Sequence, residues 1–481
     1  MPRPTRRAVL AGLGAGAAAI PFDRWLAERA WAGPARVRYE ATSPQGQQMV
    51  TKYATAVQKM MQTAEGKPCS WTFQWYTHWT KGSTTKAAEL TRIYPQATPD
   101  KALAQDMWDT CQAHGPGEDE NMFLPWHRMF VFYFEDIIRT VLNDAAFTLP
   151  YWNYSAAATR AMPAPFRASG SPLFRTSRNA GPNGGQGIPT NQVALTVLQQ
   201  ASYGPQGAAQ GFCATLDFGL HGNVHVWVGN SQGMGQIPWA AYDPIFWMHH
   251  CNIDRLWASW NKGGRANPTG AWLQQGFTFA DAQCAKVTAK VGDVDDIAKL
   301  NYSYDRLEPV PAIREPVRPA AAVVHLATPA AAGPSIALGA GPVRVALQPA
   351  GGAGAAAPRL STRLAALPAG RSLYLVLENA MADAQPGVVY DVYLDLPQGA
   401  AATPASPYFA GTINFFAAAH PMGAAAGAMP ARTFSLDVTG MAKGLAARGQ
   451  LTGTPSVTIV PAGQPDAAAR PVIGAVRLVE Q

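Results

Sequence analysis

Charge is scarce in this chain. Only 14% of its 481 residues are Asp, Glu, Lys or Arg, and 38 basic against 31 acidic residues leave a net charge of +7. The first 32 residues hold part of that excess, five arginines against two acids. Without them the balance is about +4, too weak a field to imply nucleic acid or an anionic membrane as partner. Long apolar runs are also missing once those built of Ala and Gly are set aside, so no spanning helix and no membrane anchor is expected. No internal repeat is found. Cysteines are few and odd in number: Cys69, Cys111, Cys213, Cys251 and Cys284 leave at least one thiol outside any intramolecular disulfide.

The N-terminus offers Thr5-Arg6-Arg7, then an apolar Gly/Ala run from Ala8 to Ile20, then Ala30-Trp31-Ala32 as a cleavage site. In that order these elements resemble a twin-arginine export signal over residues 1–32, which implies a periplasmic or secreted protein. Residues 33–307 are rich in aromatics and histidine. Helical periodicity runs over Met49–Glu65, Phe123–Leu142 and Phe246–Trp260, while Ser155–Asn191 is loop-like. Composition then shifts. Residues 308–334 are Pro/Ala-rich and read as an extended linker. Beyond them, Val343–Leu347, Ser372–Leu377, Val388–Leu396, Thr433–Val438 and Ser456–Val460 are strand-like runs. They predict an all-β sandwich over residues 335–481. The fold class is therefore multidomain: a mainly α domain followed by a β-domain.

What the chain does have is histidine in the right place. Seven of its nine histidines lie between His78 and His250, in two groups: His78, His114 and His127, then His221, His225 and the pair His249-His250. Two sets of three imidazoles suit a pair of transition metals, with no carboxylate or thiolate needed to complete either. His221 and His225 are spaced i, i+4, so on a helix both point from one face. That spacing alone is also common on solvated helices. His250 and Asp254 repeat it, which would let Asp254 accept a ligand's second N–H and fix its tautomer. The alternative for Asp254 is a surface contact with Arg255. His127 opens a very apolar helix, where a lone histidine is more often a satisfied core residue than a ligand.

Two long segments, Phe123-Leu124-Pro125-Trp126-His127-Arg128 with Glu135, and Asp243-Pro244-Ile245-Phe246-Trp247-Met248-His249-His250 with Asp254, resemble the signature motifs of the tyrosinase and polyphenol oxidase family. The resemblance covers about residues 71–304. It implies a four-helix bundle holding two type 3 copper ions, with O2 and a phenolic small molecule as partners. By position it implies His78, His114 and His127 on the first copper and His221, His225 and His250 on the second. It makes His249 a packed neighbour that does not ligate. Tyr302-Ser303-Tyr304 looks like the motif that closes the catalytic domain. The Tyr390–Tyr393 and Phe409–Gly411 segments look like the β-domain that shields the copper site in plant-type members.

The departures from the family pattern matter as much. Residues 115–120 separate His114 from the Pro-Trp-His segment by more than is usual. Asp217 stands where a water-ordering Glu is usual, and Gly222 where efficient monophenol hydroxylators of bacterial type often have Asn; Asn223 is one position late. Cys111, three residues before His114, suggests a Cys–His thioether. Val226 and Ile237 fall at the substrate gate. Gly222 and Asp217 imply an oxidase of o-diphenols with weak monophenol hydroxylation, and the linker and shielding β-domain imply that it is latent until its cover opens. Tyrosinase proper and o-aminophenol oxidase are alternatives within the class, and a haemocyanin-like O2 carrier is the alternative outside it. A dinuclear zinc hydrolase would normally add a bridging carboxylate, which the six-His inventory lacks.

Overall fold

The computed structural model describes residues 36–112, 121–310, 323–327, 335–349, 359–368, 370–416, 418, 431–452 and 454–481. The export-signal segment and His114 lie outside the described residues. Among those described, no helix is long and apolar enough to cross a membrane.

Of the helices in the first part, five frame the site: α1 (Pro44–Gln62), α2 (Trp71–His78), α3 (Phe123–Leu142), α4 (Gly222–Val228) and α5 (Pro244–Lys262). Their starts follow from local chemistry. Ser43 and Ser70 cap α1 and α2 by accepting from Gly46 N and Phe73 N, and Asp243 caps α5 from Ile245 N with Pro244 at the first position. Asn143, in the left-handed region at φ 53°, ends α3. Seventeen of the twenty α3 residues, Phe123 to Arg139, are buried, because α3 runs through the centre with α1 and α5 against it. Phe134 stacks on Trp247 of α5 at 3.5 Å between centroids, and Tyr53 of α1 meets Phe134 edge-on. Aromatic pairs of this kind add about 0.5–1.5 kcal/mol each beyond the area they bury.

Short strands close this part. β1 (Arg36–Arg38) pairs in parallel with β4 (Tyr302–Tyr304), and β2 (Gly276–Ala280) forms a hairpin with β3 (Lys286–Lys290). Under them lies a buried charge network. Asp254 accepts from Arg128 Nε at 2.5 Å, Arg38 Nη1 at 3.2 Å, and the hydroxyls of Tyr302 and Tyr304 at 2.6 and 2.5 Å. Glu135 pairs with Arg38 and Arg139 at 2.8 and 2.6 Å, and those two guanidinium groups hold its carboxyl well below the usual range, at about 2, against the cost of burial.

The second part is a β-sandwich. One sheet has the order β12 (Arg432–Asp437), β9 (Leu373–Ala380), β15 (Ala475–Glu480), β5 (Val323–Ala327), β8 (Gln348–Pro349). The other has the order β11 (Phe409–Ile413), β10 (Tyr390–Leu394), β13 (Ser456–Pro461), β7 (Val343–Ala346). A small pair, β6 (Ile336–Ala337) and β14 (Val472–Ile473), lies beside them. Leu375 and Leu377 of β9, Val476 and Leu478 of β15, Val392 and Leu394 of β10 and Ile459 of β13 share the core. All five strand-like runs of the sequence are strands. The stretch read as linker is not wholly one: β5 falls inside it, paired antiparallel with β15, since Val323–Ala327 is a strand-forming island among prolines. Every residue of β10 is buried, because its polar side turns to the helical part, where Asp391 accepts from Asn191 Nδ2 at 3.1 Å.

Candidate metal centre

Two clusters of buried donors face each other across the bundle. His78, Cys111 and His127 form one; His221, His225, His249 and His250 form the other. Within each, the possible donor atoms lie within 4.8 Å of one another. His78 ends α2, His127 lies in the first turn of α3, His225 is on α4, and His249 and His250 are on α5. His221 ends a π-helical turn, Asp217–His221, kinked at Gly219 (φ −90°, ψ −106°). The clusters touch: the His127 and His250 rings stack at 4.4 Å and 12°.

The hydrogen bonds fix how these rings are protonated. Nδ1 of His78 meets Ile237 O at 3.1 Å, Nδ1 of His127 meets Phe123 O at 2.7 Å, and Nδ1 of His225 meets Met234 O at 2.8 Å. His221 Nδ1 lies 3.2 Å from Asp217 O and 2.8 Å from Asp217 Oδ1. A carbonyl can only accept, so each of these Nδ1 atoms carries a proton. Burial, with help from neighbouring imidazoles, holds His127, His225, His249 and His250 well below the usual histidine range and brings His78 to about 3. Those five rings are therefore neutral at physiological pH. Among the described residues, Nε2 of His221, His225, His249 and His250 is buried with no hydrogen-bond partner. Such orphaned acceptors are costly unless something binds them. Neutral imidazoles with inward lone pairs fit copper in either of its oxidation states.

The positions expected from the sequence divide as follows. His78, His127, His221, His225 and His250 come together. His114 lies outside the described residues, so its place beside His78 and His127 is not seen. Cys111 Sγ is 3.7 Å from His127 Nε2. His249 does what a packed neighbour would do, its Nδ1 2.9 Å from the Tyr154 hydroxyl, yet its Nε2 joins the second cluster. Asp254 corrects an expectation. It does not orient a ligand; its two oxygens are taken by Arg38, Arg128, Tyr302 and Tyr304, and neither nitrogen of His250 has a hydrogen-bond partner among the described residues. Nor is Asp254 a surface partner of Arg255, for both are buried. The carboxylate that does hold a ring is Asp217. Asn223 has both ends of its amide engaged, donating to Gln192 O and accepting from Asn414. Ile237 offers its carbonyl to His78, and Val226 lines a cavity of about 190 Å³ with Asn179, Gln192, Trp227 and Val389.

Sequence reasoning missed the residues that arrive from the β-sandwich. Phe416 stacks on His225 at 4.1 Å and 16° and lies 5.7 Å from His221. No local pattern around Phe416 signals this, because the contact depends on how two parts of the chain dock. Ala214 and Phe218 of the helical part are built into the sandwich core, while Val389 and Phe416 are built into the helical core.

Comparison with known proteins places these features. The common central domain of tyrosinase matches residues 68–207 and 186–263, the polyphenol oxidase middle domain matches 270–317, and a domain of unknown function (DUF7868) matches 327–481. A tyrosinase from Hahella sp. (strain CCB-MM4) is 33% identical over 291 residues, 52% of this chain and 59% of that protein. The chloroplastic polyphenol oxidase A1 of Vicia faba is 31% identical over 241 residues, 42% of this chain and 38% of that one. The chain thus spans less than two thirds of either relative. The fold is shared with latent apple tyrosinase at a TM-score of 0.62 and 21% identity, over 93% of this chain and 97% of that one.

Proposed function

Because the chain belongs to the tyrosinase and polyphenol oxidase family, we propose that it is a type 3 copper oxidase converting o-diphenols to o-quinones as O2 is reduced to water. The observation that carries the reading is the set of buried rings: Nδ1 of His78, His127, His221 and His225 is held by a carbonyl, and in the second cluster Nε2 of His221, His225, His249 and His250 is buried with no hydrogen-bond partner among the described residues. His78, His127 and His114 would hold the first copper, and His221, His225 and His250 the second. Bound there, a copper pair supplies the one-electron steps that pass four electrons from two diphenols to one O2.

The protein's own part is proton handling and enclosure. Asp217, buried and hydrogen-bonded to His221 through Oδ1, is the carboxylate placed to take a diphenol proton through an ordered water. Phe246, edge-on to His78 and tilted against His250, and Phe130 behind it keep solvent from the rings. Gly222 and Asp217 favour strong o-diphenol oxidation over slow monophenol hydroxylation. Phe416 covers the ring face of His225 that a flat phenol would use, so the full chain is latent until this residue moves. We further propose export by the twin-arginine route and a thioether between Cys111 and His114, which a crosslinked peptide in a digest would report.

The competing reading is a haemocyanin-like O2 carrier, with O2 bound reversibly and no quinone formed. Oxygen uptake by the copper-loaded protein with a monophenol, an o-diphenol and an o-aminophenol separates all of these. Rapid uptake with the o-diphenol supports the proposal. Uptake with none of the three, in protein opened by mild detergent, refutes it.

A further inference from the structure

Phe416 is two residues beyond a second intruder from the sandwich, Asn414, and the two do different things. Asn414 is buried, and its amide is fully used. Nδ2 donates to Phe218 O at 2.5 Å, to Asn223 Oδ1 at 2.9 Å and more weakly to Gly219 O at 3.4 Å; Oδ1 accepts from Phe416 N at 3.1 Å. Of the residues it grips, Phe218 and Gly219 lie within the π-helical turn that ends in His221, and Asn223 lies two residues after it. Gly219 is non-helical within that turn, whose bonds include Gly222 N to Asp217 O and to Gly219 O, and Asn414 adds a donor from outside at Phe218 O.

Gly222 is the complement. A Cβ built on it would lie 2.5 Å from Asn414 Oδ1, 2.8 Å from Nδ2 and 2.9 Å from Cγ. The backbone of Gly222 is ordinary αR, so the glycine is not needed for its conformation; it is needed for room. Phe218, meanwhile, leaves the helical part and packs into the sandwich, 6.3 Å from Phe434 and under the guanidinium of Arg432.

We infer that docking of the β-sandwich positions the second histidine set, with Asn414 seated over Gly222 as the anchor that fixes the turn carrying Asp217 and His221. Covering and positioning are then separate acts of one loop: Phe416 covers His225, and Asn414 holds His221. Asn414 is a positioning residue, since its hydrogen bonds run to Phe218, Gly219, Asn223 and Phe416 and to no histidine ring among the described residues. The inference rests on the proposed metal reading only for its consequence, that undocking loosens the second set, and not for its geometry.

The test is hydrogen exchange of the peptide spanning Asp217–Asn223 in the metal-free full chain. Asn414→Asp turns a donor into a carboxylate facing Phe218 O, and Gly222→Ala drives a methyl into the amide. Both should speed exchange there by about five- to tenfold, the scale of losing one or two buried hydrogen bonds. Phe416→Ala should leave that peptide protected. Gly222→Ala added to Asn414→Gly should do no further harm, because the clash is gone. Unchanged exchange in both Asn414→Asp and Gly222→Ala overturns the inference, as does equal loss in Phe416→Ala. On the copper-loaded chain, Asn414→Asp should speed the release of one copper to a chelator and not of the other. A chain that binds no copper would defeat the proposed function and leave the exchange result standing.

Discussion

The two histidine sets are held in different ways. In the first, His78 and His127 are oriented by carbonyls of the helical part alone, Ile237 and Phe123. In the second, His221 and His225 have their carbonyls from the helical part too, Asp217 and Met234, but the sandwich reaches in as well, with Phe416 on His225 and Asn414 on the turn before His221. A donor set that one fold unit completes by itself should be indifferent to what docks beside it. A set shared between two units should respond to docking. The helical part therefore brings a settled half-site and a responsive one.

The largest effect should come from removing a ring. His225→Ala, made in the full chain, should lose one copper of about two and abolish diphenol oxidation while the first copper stays, as metal analysis of the purified variant would show. Loss of both coppers would break the comparison, because the sets would then not be independent.

Asp254→Asn probes what lies beneath both sets. A buried carboxylate that pairs with Arg38 and Arg128 should cost about 3–5 kcal/mol when its charge is removed. Denaturant unfolding should show that loss, and copper per folded chain should stay unchanged. Selective loss of the second copper would instead restore Asp254 as an orienting group for His250.

How far the sequence speaks for itself is clear from these residues. α3 was readable to its ends because apolar residues cover most of it and Asn143 stops it, whereas periodicity alone set α5 two residues short at each end, at Phe246–Trp260 within Pro244–Lys262. The five strand-like runs were readable from β-branched content. Asp254 misled because i, i+4 spacing places two side chains on one face and says nothing of the arginines waiting in β1 and α3. Asn414 and Phe416 were unreadable because their meaning lies in docking, between residues about 190 positions apart. The role of Gly222 was half legible. The sequence marks it as a position where a side chain would alter reactivity, but the reason for its emptiness is Asn414, so Gly222→Asn in the full chain should unseat the cover before it can order a water.

A smaller effect should follow from opening the cover alone. Phe416→Ala should raise diphenol oxidation severalfold with copper content unchanged, since it frees the ring face of His225 and leaves Asn414 seated. Equal activity in variant and parent would place the block elsewhere.

The smallest is acid sensitivity of the metal-free chain. His78, with its folded pKa near 3 against 6.5 in the unfolded state, stays neutral in the folded protein where the unfolded chain takes up a proton. Stability should thus fall as pH drops below about 6.5 and go on falling to about 3. His127 and His225, shifted in the same direction, steepen the slope. Copper, which competes for the same lone pairs, should move the onset to lower pH in thermal melts. An onset that copper leaves in place would mean that other groups govern the acid limb.

The most direct test of the central claim is oxygen consumption by the copper-loaded protein given an o-diphenol after the cover is opened with mild detergent. A dicopper polyphenol oxidase should consume one O2 for every two diphenols, form the o-quinone and release no hydrogen peroxide. Reversible O2 uptake with no quinone, at full copper occupancy, would contradict it.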